Sequence, residues 1–516
     1  MINKKLQTGL AVLILCLAFC STPLSVFAAQ ADIVTINILS INDLHGTLVA
    51  TNSSPGAAKM TAVIEQEKMK DPATLLFAGG DMFQGTFESD ELKGEPIIEV
   101  LNQIGVNASA VGNHEFDVGV NAFENQMKSC KFPWLAANII DKQTGERSNI
   151  WRPYEILTIK GVKVGVIGLA TPETATTTNP NNISNFSFAD PSQTVQELLP
   201  ELRQKGVDII VALTHVGSFM DFSTGALSGD GVTLAKSCPE LQVVISAHTH
   251  QKVCGMVGNT ALIQAASQGK LVGKTTITYN TKTKRVESIT PSIIDVAPQQ
   301  PDPEVEKIIN NTLKNIEPIR NQVIGQLTNP LPRSRTEVSP LGQWVTDNMR
   351  TAVNADIAFT NPGGLRANLP AGNITKGMIH EVMPFDNTLY TVELTGAQIC
   401  EVLQFGVGNP DKGTLQYSGL NITYDPDKSG AAALVNITLA NGSALVADKT
   451  YLVVTNDFMG IGGDGYSVFK QGLNGKDTHI KIRDVLEESL QGKNINFVPN
   501  TRLIKINTQD RQDKAA

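Results

Sequence analysis

Five of the seven histidines in this chain fall in short polar motifs, each read as following a β-strand. The motifs are Asn42-Asp43-Leu44-His45-Gly46, Gly79-Gly80-Asp81, Gly112-Asn113-His114-Glu115-Phe116-Asp117, Thr214-His215 and Ala247-His248-Thr249-His250. Chance does not place histidines this way. Residues 33–41, 74–78, 162–169, 207–213 and 242–246 are runs rich in Val, Ile and Leu, as strands buried on both faces of a helix-covered sheet must be. Helix-like stretches at 57–69 and 192–205 lie between them. This alternation predicts a layered α/β fold, and in such folds sites form at the carboxyl ends of strands.

The side chains in these motifs are the ones a pair of divalent ions needs. Such ions take nitrogen and oxygen donors and can share a carboxylate. Asp81, exposed by the two glycines before it, is the expected bridge. His45, His215, His248 and His250 offer neutral imidazoles, Asn113 a carbonyl oxygen and Asp43 a second carboxylate. Two carboxylates leave the ions with surplus positive charge, which binds phosphate and lowers the pKa of a bound water. Zinc, manganese and cobalt all suit a mixed N/O site. His380 and His479 stand outside the motifs.

The chain has 516 residues, enough for two or three domains. Lys4 and Lys5, an apolar run at 10–19 and the small residues Ala28-Ala29 form the pattern of a secretory signal peptide over 1–29. Export to periplasm, cell surface or medium is therefore expected. No later stretch is apolar enough for a membrane span. The formal charge of −8 gives no overall attraction for a nucleic-acid polymer. Cys16 and Cys20 belong to the signal, leaving Cys130, Cys238, Cys254 and Cys400. Cys238 and Cys254 flank one expected strand and either pair or stay free. The proline-rich stretch 297–303 and the helix-like 304–323 close a first unit over 30–297 and connect it to a second over 324–508. The last residues, 509–516, are a polar tail expected to fray.

The five motifs in this order resemble the calcineurin-like metallophosphoesterases, and NDLHG, GGD, GNHEFD, TH and HTH are similar to the 5′-nucleotidase branch of that group. The resemblance implies a four-layer αββα sandwich followed by a smaller α/β substrate-binding domain. It assigns Asp43, His45, Asp81 and His250 to one metal ion, and Asp81, Asn113, His215 and His248 to the other. His114 and Asp117 correspond to the family's catalytic dyad, acting on a phosphate attacked by a metal-bound hydroxide. In the second unit, Asn361-Pro362-Gly363-Gly364-Leu365-Arg366, Met383-Pro384-Phe385-Asp386-Asn387 and the segment from Phe458 to Tyr466 resemble the family's C-terminal domain. There Phe385 and Phe458 correspond to two rings that sandwich a nucleobase, and Asp464 to a ribose ligand. Asn361, Gly364, Arg366 and Arg335 correspond to further substrate contacts, with Arg333 an alternative to Arg335. The implied activity is release of phosphate from nucleoside 5′-monophosphates. Hydrolysis of 2′,3′-cyclic nucleotides with 3′-nucleotidase activity, or of nucleotide sugars, is the alternative. A non-catalytic nucleotide-binding surface protein is a third reading, but such a protein is expected to have lost a ligand or His114, and none is lost here.

Overall fold

The computed structural model describes residues 32–506 apart from 52, 179, 180, 386 and 429. The signal-peptide pattern at 1–29, with Cys16 and Cys20, and the tail at 509–516 lie outside the described residues. Two six-stranded sheets dominate the first unit. One runs Arg285–Asp295, Leu271–Asn280, Ile33–Ile41, Leu75–Ala78, Ala108–Ala110, Trp134–Leu135 in spatial order. The other runs Lys252–Val257, Thr260–Ala265, Val243–Ile245, Ile209–Thr214, Val162–Leu169, Tyr154–Ile159. Ile33–Ile41 is parallel to Leu75–Ala78, which is parallel to Ala108–Ala110. Val243–Ile245, Ile209–Thr214 and Val162–Leu169 are also mutually parallel neighbours.

Side-chain alternation along each strand decides the layering. Ile36, Ile38, Leu75 and Phe77 meet Val164, Val166, Val211 and Ile245 in one apolar layer between the sheets. The intervening Leu39, Ile41, Leu76 and Ala78 face outward, against Met60, Val63, Ile97 and Leu101 of the helices Ala57–Lys70 and Glu95–Gln103. On the far side Ile167, Leu169, Ile210 and Ala212 pack on the helices Pro191–Gln204 and Asp230–Ser237. The order helix, sheet, sheet, helix is the expected four-layer sandwich. Pro191–Gln204 begins where the Asp190 carboxylate accepts the Gln193 amide at 2.8 Å. Its Val195, Leu198, Leu199 and Leu202 recur at helical spacing, and burying each is worth roughly 1.5–3 kcal/mol.

The connecting stretch is no loose tether. The Asp302 side chain caps the helix Pro303–Arg320 by accepting two backbone amides, and Val305, Ile308 and Ile309 pack into the first unit's outer core. At the far end Arg320 pairs with Glu88 of the first unit and, at 2.7 Å, with Glu381 of the second. The second unit is built on a five-stranded sheet ordered Gln416–Ser418, Ile357–Thr360, Thr450–Asn456, Thr388–Thr395, Leu473–Lys481. Helices Pro340–Ala352, Lys376–Val382 and Ile482–Leu490 share the core on one face, and Gly396–Gly406 that on the other. Cys238 and Cys254 are both free thiols, so the bridge left open by the sequence is not formed. Among the described residues no helix is long and apolar enough to cross a membrane.

Candidate metal centre and active-site cleft

The motif side chains converge at the carboxyl ends of the parallel strands. Asp43 and His45 follow Ile33–Ile41, Asp81 follows Leu75–Ala78, and Asn113 follows Ala108–Ala110. His215 follows Ile209–Thr214, and His248 and His250 follow Val243–Ile245. Asp43, His45, Asp81, His248 and His250 have φ of 50, 49, 56, 70 and 58°. Left-handed backbone costs a non-glycine residue about 1–2 kcal/mol, and such strain gathers where function holds it. Backbone bonds maintain it: Asp43 N donates to Gly80 O at 3.0 Å, and His45 N to Asp81 O at 2.9 Å.

Hydrogen bonds also fix which ring nitrogen is bare. A carbonyl can only accept, so His45 Nδ1, 3.1 Å from Gln84 O, carries the proton. His215 Nδ1 likewise donates to Gly79 O at 2.8 Å. Both Nε2 atoms are left for a cation, the usual arrangement of a ligating imidazole. His45 Nε2 lies 2.9 Å from His250 Nε2. Burial pushes these two imidazoles down, to about 3 and about 4, so both are neutral and their ring nitrogens crowd one point. His215 Nε2 lies 3.0 Å from Asp81 Oδ2 and 3.2 Å from Asn113 Oδ1. Burial pulls His215 down, but the Asp81 carboxylate outweighs it and raises the ring to about 9. Burial raises the Asp43 carboxyl to about 6.

A bare His45 Nε2 turned toward a second imidazole, and buried carboxylates that hold a proton on His215, mark a place short of positive charge. Ligand atoms of Asp43, His45 and His250 lie within 4.8 Å of one another, as do those of His45, Asp81 and His114, and of Asp81, His215 and His248. His45 and Asp81 each belong to two of these groups, and of the two only the carboxylate has two oxygens to share between ions. The donor set fits two divalent ions. His248 Nε2 donates to Glu173 Oε2 at 2.7 Å, leaving Nδ1 as its bare nitrogen.

His114 donates from Nδ1 to Asp117 Oδ2 at 2.7 Å. Burial opposes its charge, but Asp117 and Asp81 overcome that and raise it to about 10. Thr178 Oγ1 donates to the other Asp117 oxygen at 3.2 Å. A cavity of about 340 Å³ opens beside the dyad, walled by Asn113, His114, Asp117 and His248 on one side and Asn361, Gly364, Arg366, Phe385, Phe458 and Asp464 on the other. The Phe385 ring stacks on His114 with centroids 5.9 Å apart and planes 19° from parallel. Arg366 lies 5.8 Å from the Phe385 centroid, and Asn361 Nδ2 donates to Asp464 Oδ2 at 2.8 Å. Arg335 is not part of this wall. Its backbone carbonyl accepts the Thr414 amide, while its side chain is exposed; desolvation at the cavity wall depresses Arg366, and the charges of Arg333 and Arg335 add to that.

Sequence reasoning missed several residues of the site. Glu115 is 1% exposed and accepts the backbone amides of Asp81, Met82 and Gly112 at 2.8, 2.7 and 2.7 Å. It therefore ties two ligand loops together. A Cβ on Gly112 would stand 2.1 Å from Asp81 Oδ1, so only glycine admits the Asp81 carboxylate there. Asn42 donates to Asp43 Oδ2 at 2.5 Å. Both lay in motifs already singled out, and a buried acid with no Lys or Arg neighbour in sequence was the available signal for Glu115. Asn387, which lines the cavity with Asp457, lay in the Met383–Asn387 motif; Glu173, Thr178 and Asp457 had no such signal. Replacing Glu115 by alanine leaves three buried amides unpaired and should destabilise the chain by about 3–5 kcal/mol; a denaturant midpoint close to that of the unaltered protein would show the amides find other partners.

Comparison with known proteins agrees with this geometry. Residues 36–252 match the calcineurin-like phosphoesterase model, and residues 323–471 match the 5′-nucleotidase C-terminal domain model. A cell wall protein of Listeria monocytogenes is 31% identical over 90% of this chain and 68% of its own length. A 5′-nucleotidase of Vibrio cholerae is 28% identical over 93% of this chain and 94% of its own. The crystal structure of a 5′-nucleotidase precursor from Thermus thermophilus superposes with a TM-score of 0.70 at 27% identity, covering 92% of this chain and all of that one. Two longer Bacillus subtilis relatives are spanned over only 37% and 34% of their length.

Proposed function

We propose that this chain, which belongs to the 5′-nucleotidase family of calcineurin-like phosphoesterases, removes phosphate from nucleoside 5′-monophosphates. Its class is metal-dependent phosphoric ester hydrolysis. The cavity carries the substrate reading, because one wall holds the dyad and the metal donors while the other holds two phenyl rings and a carboxylate. Asp43, His45, Asp81 and His250 would hold one divalent ion; Asp81, Asn113, His215 and His248 would hold the second. When bound, two such ions supply a nucleophile at neutral pH and positive charge for the phosphoryl oxygens.

The chain's own groups do the rest. His114, charged and steadied by Asp117, stabilises negative charge growing on the phosphoryl oxygens. Arg366 offers a fork that suits phosphate, and Arg335 and Arg333 add to the field behind it. Phe385 and Phe458 would stack on the two faces of the base, which tolerates several bases. Asp464, oriented by Asn361, would accept the ribose hydroxyls, and Gly364 lets the backbone come close. The cell wall location in the name of the Listeria relative and the pattern over 1–29 support export; recovery of the protein only from the cytosol would count against it.

Phosphate release from AMP, from 2′,3′-cyclic AMP and from a UDP-sugar distinguishes the bonds, with AMP expected to be fastest. No release from AMP by protein carrying both ions would sink the proposal. Phe458→Ala should raise KM for AMP by about 10-fold, since one stacked base is worth about 1–3 kcal/mol. It should leave turnover of p-nitrophenyl phosphate, which has no base, within about two-fold. Equal losses on both substrates would show that Phe458 supports the site rather than the base.

A further inference from the structure

His380 is the buried histidine that the catalytic reading leaves unused. It sits on the second unit's helix Lys376–Val382, 2% exposed. Its Nε2 donates to Asp90 Oδ2 of the first unit at 2.8 Å, and its ring stands edge-on to Phe87 with centroids 5.4 Å apart. The other Asp90 oxygen accepts the Gly85 amide at 3.1 Å. The residue before Gly85 is Gln84, whose carbonyl accepts His45 Nδ1–H.

The segment joining these groups lies directly on the metal-ligand loop. A Cβ on Gly85 would come within 3.1 Å of the Cβ and carbonyl oxygen of His45, and Gly85 has φ of +137°. Thr86 Oγ1 donates to Gly46 O at 2.7 Å, and the Asp90 amide donates to Thr86 O at 2.9 Å. The short helix Phe87–Glu91 is thus held between the His45 loop and the second unit. We propose that His380 is a positioning residue for His45: by seating Asp90 it fixes the Gly85–Gln84 turn, and with it the tautomer and aim of the His45 ring. The proposal rests on His45 being a metal ligand. It makes the affinity of one ion, and not the other, depend on how the second unit is docked.

Calorimetric titration of the chelator-stripped full chain with Zn²⁺ tests this. His380→Phe keeps a ring against Phe87 and removes the donor. It should weaken one of the two ions about 10-fold, the low end for a partner beyond the ligand itself, and leave the other unchanged. His380→Gln places an amide N–H where Nε2–H was and should restore most of that affinity. Asp90→Asn should weaken the same ion, and it serves if His380→Phe does not fold. In a His45→Ala background, where the affected ion is lost, His380→Phe should have no further effect. Unchanged affinities, equal weakening of both ions, or a Gln variant as weak as the Phe variant would each overturn the proposal. If His45→Ala itself retains both ions, the metal reading of His45 has failed. If it loses one while His380→Phe changes nothing, only the positioning role has failed.

Discussion

Replacing His114 by alanine should lower kcat for AMP about 1,000-fold, within the range of a positioned acid or oxyanion donor, while two metal ions stay bound. His114 borders the cavity, and its Nδ1 is taken by Asp117. A ring nitrogen of His114 lies within 4.8 Å of ligand atoms of His45 and Asp81. That proximity supplies the competing outcome. Were His114 a ligand, the variant would lose an ion as well as its rate, and metal content measured alongside kcat tells the two apart. KM should change little, because the loss falls on charge that appears only in the transition state. Equal rates for variant and unaltered protein would remove His114 from the chemistry.

Asp81→Ala should be more severe. The Asp81 carboxylate groups with His45 and His114 and with His215 and His248, and it accepts the His114 amide at 3.0 Å. If Asp81 is the shared ligand proposed above, its loss should cost both ions a donor, and with them several kcal/mol of transition-state stabilisation, about 10⁴-fold in rate or more. Stability gives an independent readout. Ions that bind the folded chain and not the unfolded one raise Tm, so a chelator should lower the melting temperature of the unaltered protein. The variant should melt at the same temperature with or without chelator. A chelator-sensitive Asp81→Ala protein would mean the ions do not share this carboxylate.

Local pattern carried much of this architecture in the sequence. The runs 33–41 and 162–169 coincide with the strands Ile33–Ile41 and Val162–Leu169, because strands buried on both faces are apolar throughout. The bounds of Ala108–Ala110 were not legible and only the motif after it implied a strand: Ala-Ser-Ala has neither β-branching nor alternation, and its neighbours in the sheet make it a strand. That two sheets stack face to face was known only through resemblance, since periodicity gives each strand two apolar faces without saying what covers them. The proposed ligands stood out in the sequence because metal donors are rare residue types at strand ends, and the structure brings their side chains together. Their supports were not. Glu115 works through three backbone amides, and Glu173 reaches His248 across 75 residues of chain, so neither leaves a spacing to read. Arg335 shows the opposite limit, a position the resemblance picks out whose side chain does not line the cavity.

The left-handed conformation at Asp43, His45, Asp81, His248 and His250 bears on attempts to graft this centre onto another scaffold. Those five side chains copied onto regular strand ends would point elsewhere, because the turn in the backbone aims them. A designer cannot relieve the strain with glycine, since each strained residue is also a proposed ligand. The transplantable unit is therefore the set of strand-end loops together with Glu115 and Asn42 that brace them, and a minimal copy of the ligands alone should be expected to bind weakly and without selectivity.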